Sequence, residues 1–169
     1  NVSLQTGDAD LTVEGDVKLA KGELGSSSGT LLFRKGGTQP GSFEFDLGSS
    51  ILSLGAGYTK SGGNFDGSSA TLNLLDNITI TSDSALAFNR LELNDLTLTL
   101  GSSTDNLTVQ NAITIDASTE GILTGEADLI LMSAMTLSAG DVTSTGGIVS
   151  LSGGGQLSGT GELEFSGST

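Results

Sequence analysis

The sequence predicts an all-β chain wound as a parallel β-helix, a β-solenoid of about eight coils of 19–22 residues. Three observations lead there. Short strand-like segments fill the chain, and no long stretch carries apolar residues at the 3.6-residue spacing of a helix. An apolar-x-apolar triplet returns on a beat of about twenty residues. Glycine is abundant at 26 of 169 residues while proline occurs once, which excludes collagen and Pro-rich linkers.

In chain order the strand segments read LTV, KL, TLLF, FEFDL, ILSL, TLNL, ITIT, LAF, LEL, LTLTL, LTVQ, ITID, LILM, MTL, IVSL and LEF. Most alternate apolar with polar and are bounded by Gly, Asn, Asp or Ser, the residues that turn a chain. One series of triplets begins at Leu11, Leu31, Leu52, Leu72, Leu91, Ile113 and Met135, with a half-pair at Leu157. Its intervals are 20, 21, 20, 19, 22, 22 and 22 residues. A second runs Leu24, Phe45, Phe65, Leu86, Leu107, Leu129 and Leu151, at 21, 20, 21, 21, 22 and 22. A third is fainter: Ile78 with Ile80, Leu98 with Leu100, then Ile122.

A beat of about twenty residues is too short for a propeller blade and suits one solenoid coil of three short strands. Equivalent strands of successive coils then lie parallel, about 4.8 Å apart, with like side chains stacked in columns. Because side chains alternate across a strand, both ends of Leu-x-Leu point inward and the middle residue points to water. The middle residues agree. They are Thr12, Leu32, Ser53, Asn73, Glu92, Thr114, Thr136 and Ser158, and only Leu32 is apolar. The core is expected to hold Leu72, Leu74, Leu86, Ile113, Ile115 and Leu129. With aromatics at 4%, it is expected to consist of small branched side chains. The drift in coil length predicts a right-handed helix, whose turns absorb insertions. RKGGTQPGS at 34–42 and SGGNFDGSS at 61–69 read as loop excursions, since Gly-Gly and Pro-Gly break strands. Residues 1–169 are expected to form a single solenoid domain, a segment of a longer protein.

Charge excludes several partners. The chain has 6 basic and 20 acidic residues, a net of −14. Every Lys and Arg lies at or before Arg90, and ten carboxylates follow from Leu91 on. Such a surface repels nucleic acid and anionic lipid, and no apolar run reaches the ~18 residues of a membrane span. Calcium is the one cofactor that the acidic exterior leaves open. Cysteine and histidine are both absent, which removes disulfides, thiolate chemistry and imidazole catalysis.

The remaining chemistry is thin. Asp8/Asp10, Glu14/Asp16 and Glu162/Glu164 are the carboxylate pairs a glycosidase would need, but any Asp-x-Asp on a strand produces one. GGNFDGSSA at 62–70 shares glycines and an Asp with calcium-binding solenoid repeats, lacks their spacing and occurs once. Thr79 and Thr81 with Thr97 and Thr99 make two Thr-x-Thr rungs, too few for an ice-binding array. Sequons at Asn1, Asn77 and Asn106 are as frequent as chance provides. Tyr58 and six Phe are all the aromatics available for sugar stacking. No catalytic, cofactor-binding or metal-ligating residue is assigned, and no enzyme activity is expected.

Coils such as DLTLTLGSSTDNLTVQNAITIDASTEGILTGEADLIL and GGIVSLSGGGQLSGTGELEFSG resemble the passenger regions of bacterial autotransporters and filamentous-haemagglutinin-type surface adhesins. The resemblance implies a right-handed β-helix, secreted or at the cell surface, serving adhesion or a structural fibre. The alternative is a carbohydrate-active enzyme or polysaccharide-binding module on the same fold. Expected partners are further coils of the fibre or other copies end to end, and host or cell-surface glycans or proteins. NVSLQTGDADLTV enters the coil pattern at once and GELEFSGST still alternates at its end, so open sheet edges are expected at both.

Overall fold

The computed structural model describes residues 3–101, 106–157 and 159–165, and over these it is a parallel β-solenoid without a helix. Each coil lays down three strands in turn. The first face is built from Ser3–Gln5, Lys21–Gly25, Ser42–Asp46, the start of Asn64–Leu74, the start of Leu86–Glu92, Leu107–Val109, Leu129–Leu131 and Val149–Leu151. The second holds Leu11–Val13, Thr30–Phe33, Ile51–Leu54, the ends of the two long strands, then Ile113–Ile115, Met135–Leu137 and Gly155–Leu157. The third holds Val17–Lys18, Gly37–Pro40, Tyr58–Ser61, Ile78–Ser82, Thr97–Leu100, Gly121–Gly125, Asp141–Ser144 and Glu162–Phe165. This third face is one unbroken 8-stranded sheet, so there are eight rungs. Seven steps of about 4.8 Å separate first from last, a length of roughly 34 Å.

The triplets stack as the alternation requires. Leu11 lies opposite Leu31, Leu31 opposite Leu52, Leu52 opposite Leu72, and Leu72 opposite Leu91. Ile113 lies opposite Met135. The second series pairs Leu24 with Phe45, Phe45 with Phe65, Leu86 with Leu107, and Leu107 with Leu129. The third pairs Ile78 with Leu98 and Leu98 with Ile122. Leu72, Leu74, Leu86, Ile113, Ile115 and Leu129 are all buried.

Four expectations need correction. The last coil is 20 residues long: Leu137 faces Leu157 and Leu131 faces Leu151, while Gly155 takes the place beside Met135. Residues 34–42 do not leave the coil, because Gly37–Pro40 is a strand of the third face and Gln39 points inward. Its proline ends the strand, where a missing N–H costs least. Residues 61–69 likewise stay in the coil. Gly62 and Gly63 make the corner between Tyr58–Ser61 and Asn64–Leu74. A Cβ on Gly63, at φ +70°, would lie 2.1 Å from the Phe43 carbonyl oxygen, so only glycine fits there. The core is also more aromatic than the composition implies. Phe33, Phe43, Phe45, Phe65, Phe88 and Tyr58 form one interior cluster with neighbouring ring centroids 5.4–6.5 Å apart. Beyond Phe88 the described core is aliphatic.

The second face is interrupted. Its ladder stops after the strand ending at Glu92 and resumes at Ile113–Ile115 as a separate 3-stranded sheet. The break falls where the corner changes. From Leu24 to Leu31, Phe45 to Leu52 and Phe65 to Leu72 the spacing is seven residues; from Leu86 to Leu91 it is five. From Leu107 to Ile113 and Leu129 to Met135 it is six. Asn64–Leu74 and Leu86–Glu92 bend round the corner as single strands, with a register shift between Gly67 and Thr71, whereas later coils break the strand there, at 110–112, 132–134 and 152–154. The seven-to-five change is taken up by the register shift between Gly67 and Thr71, which keeps both ladders paired, and the break falls at the next change, from five to six.

Candidate functional site

The outward residues of the third face line a groove. Lys18 lies opposite Thr38, Thr38 opposite Thr59, and Thr59 opposite Thr81, one column across four rungs. Thr79, opposite Thr99, stands in the next column. Gly57 occupies that second column one rung earlier, and a Cβ there would lie 2.8 Å from the Thr79 carbonyl oxygen. A Cβ on Gly37 would point inward, 3.3 Å from the Tyr58 ring, whereas without a side chain at Gly57 the second column has a gap. The result is a shallow groove of about 490 Å³ floored by glycine and threonine, with Lys18, Lys35 and Asp16 at its lower end.

Its electrostatics differ from the rest of the chain. Among the described residues, Arg34 pairs with Glu14 at 2.8 Å, Arg90 with Glu92 at 3.4 Å, and Lys60 with Asp83 at 2.5 Å. Lys18, Lys21 and Lys35 make no ion pair there. Two of those three cations thus reach the groove, and Asp16 is the one carboxylate lining it. Such a site can hold anions and hydroxyl-rich chains. Its lining offers no facing pair of carboxylates for acid–base work.

Behind the groove the interior is polar, which the sequence reading missed. Gln39, Lys60 and Ser82 stack in register and point inward. The Gln39 side-chain amide donates to the carbonyls of Phe43 at 3.1 Å and Asn64 at 2.8 Å, and its oxygen accepts from the Tyr58 hydroxyl at 2.7 Å. Burial raises the Tyr58 pKa far above the usual phenol value. Lys60 Nζ donates to Asp83 and, at 2.8 Å, to Ser84 Oγ. That hydrogen bond, foremost, holds the Asp83 pKa below the usual carboxylate range. Alternation through Tyr58-Thr59-Lys60 was the available signal, since an inward Tyr58 places Lys60 inward as well.

Several of the singled-out residues serve the fold. Asp8 accepts from Ser28 Oγ at 2.8 Å and Asp10 from the Thr30 N–H at 2.7 Å, stapling adjacent coils. Glu14 is taken by Arg34, and Asp16 lines the groove. Glu162 and Glu164 lie opposite Asp141 and Thr143, on the last rung and far from the other pairs. Asp66 of GGNFDGSSA accepts from the Ser68 hydroxyl at 2.7 Å and N–H at 3.0 Å, an Asx turn that lowers its pKa, the hydroxyl contributing most. Thr97 does not extend the Thr81 column: Thr79 faces Thr99, and the Thr97 N–H donates to Asn77. Asn106 accepts from the Asp128 N–H, so two sequon asparagines are inter-coil staples. Asn1 and Ser158 lie outside the described residues. Tyr58 is buried and unavailable for sugar stacking. No three carboxylates converge on one point among the described residues.

A smaller polar notch marks the broken ladder on the second face, lined by Arg90, Glu92, Asn94, Thr114 and Glu120. Glu120 accepts from the N–H groups of Asp116 at 2.9 Å and Asp95 at 3.2 Å, fastening two coils across the break. Asn94 and Asp95 both adopt positive φ in this corner. Compared with known protein families, curated proteins and solved structures, the chain matches none of them.

Proposed function

We propose that the chain is a section of a secreted or cell-surface adhesive or structural rod, acting through contacts along its sides. The observation that carries this reading is the third face: eight strands paired without interruption over a filled core. It presents polar side chains at fixed spacing along a stiff axis. Among the described residues, Ser3–Gln5 pairs on one side, with Lys21–Gly25, and Glu162–Phe165 on one side, with Asp141–Ser144. These edges suit further coils of the same fibre or other copies end to end.

The groove supports a second reading, a polysaccharide-binding module on the same fold. Chemistry is not part of either. Incubation with acidic and neutral polysaccharides should release no reducing ends and no unsaturated products. Beads coated with the chain should adhere to glycan- or cell-coated surfaces more than beads coated with an unrelated acidic protein. Turnover lost with one carboxylate pair, or adhesion no better than the control, contradicts the proposal.

A further inference from the structure

We propose that the groove on the third face binds a segment of acidic polysaccharide laid along the solenoid axis. This rests on the surface-contact reading and names the ligand class and the residues that take it. The chain holds 6 basic residues, and three are already committed to ion pairs with Glu14, Asp83 and Glu92. Two of the other three, Lys18 and Lys35, are exposed at one end of the same groove. From there Thr38, Thr59 and Thr81 continue the Lys18 column rung by rung, about 14 Å in all. Thr79 supplies a parallel hydroxyl, and Gly57 leaves the floor open between them.

A chain with hydroxyls at short, regular intervals and anionic groups among them matches this order. Its carboxylate or sulfate groups meet the two ammonium groups. Sugar hydroxyls exchange hydrogen bonds with the threonines and with Asp16. A protein partner fits less well. The groove offers only Val17 as an apolar anchor, and the strands beneath Thr38, Thr59 and Thr81 are paired on both edges, so no added strand can dock. The net charge of −14 does not forbid the contact. Residues 1–90 carry ten carboxylates against the six cations, and of those ten only Asp16 lines the groove. Glu92 and Asp95 lie about three rungs, ~14 Å, from Lys35, past the screening length of about 8 Å at physiological salt.

The test compares retention on immobilised polygalacturonate, dextran sulfate and neutral dextran. The wild-type chain should be retained by one or both acidic polymers and pass through neutral dextran; the polymer preferred identifies carboxylate or sulfate as the anion. K18Q/K35Q should weaken retention about tenfold or more, whereas K21Q, on the first face, should leave it unchanged. T59V/T81V keeps every charge and should weaken it several-fold, which simple ion exchange would not do. All variants should share the wild-type unfolding midpoint, because every altered side chain faces outward. Equal retention of K18Q/K35Q and wild type overturns the assignment. So does competition by polyglutamate as effective as that by the glycan, which would mark an acidic protein as ligand. Bead adhesion that survives K18Q/K35Q leaves the rod reading standing while this site fails.

Discussion

Replacing Asp83 with alanine removes the carboxylate beside Lys60, and the burial of the two groups sets the size of the effect. Lys60 is 4% exposed, and its ammonium would keep only Ser84 as a side-chain partner. Breaking a fully buried pair from one side costs about 3–5 kcal/mol. Asp83 is 45% exposed, so water reaches that end of the pair and the expected loss falls to about 1.5–3 kcal/mol. The opposite truncation behaves differently. Lys60→Met keeps a long unbranched chain in the same space and returns Asp83 to water, so it should lie within about 1 kcal/mol of wild type. Urea unfolding of D83A, K60M and the double variant measures all three, and the double variant should resemble K60M. K60M as costly as D83A, or a neutral D83A, would mean that Lys60 does not sit inside the solenoid.

Three further outcomes follow from the same geometry. Leu72→Ala should cost about 2–5 kcal/mol in urea unfolding because Leu72 is completely buried, while Thr114→Ala, on the outward side, should be near neutral. Gly63→Val should destabilise by more than about 1 kcal/mol, since it combines positive φ with overlap on the Phe43 carbonyl. Asp66 and Asp83 have lowered pKa values in the folded chain, so their contributions are present above the ordinary carboxylate pKa near 4 and are lost as pH falls through the folded values. Thermal unfolding midpoints should therefore stay level between pH 7 and about pH 5 and fall below about pH 4, less steeply in D83N.

The repeat was legible because a solenoid writes its fold directly into sequence spacing. Where a rung carries Leu-x-Leu, as at Leu52, Leu72 and Ile113, the inward pair and its neighbours were both readable. The last coil slipped by two residues because GGIVSLSGGGQL offers few apolar marks to align. A slip of two keeps every side chain on its own face, so inside and outside survived the error. Residues 34–42 were misread because Gly37 and Pro40 are poor strand formers taken alone, whereas here the neighbouring rungs impose the strand. The groove was the least legible feature. It depends on the register Lys18–Thr38–Thr59–Thr81, and before Ile78 the third face carries one apolar-x-apolar triplet, Val17-Lys18-Leu19, too few to set a beat. Gln39 and Lys60 hold the inward places there, residue types that read as surface until the alternation through Tyr58 is followed.

Stacking is tested most directly by distance against rung number along the unbroken third face. The chain has no native cysteine, so nitroxide labels can be placed in pairs at Thr38 with Thr99, Thr143 or Glu164. These pairs are three, five and six rungs apart. At about 4.8 Å per rung, dipolar spectroscopy should show separations along the axis near ~14, ~24 and ~29 Å, rising in proportion to rung number. Distances that fail to rise in that order, with Thr38–Glu164 no longer than Thr38–Thr99, would mean that the chain folds back on itself and is not a solenoid.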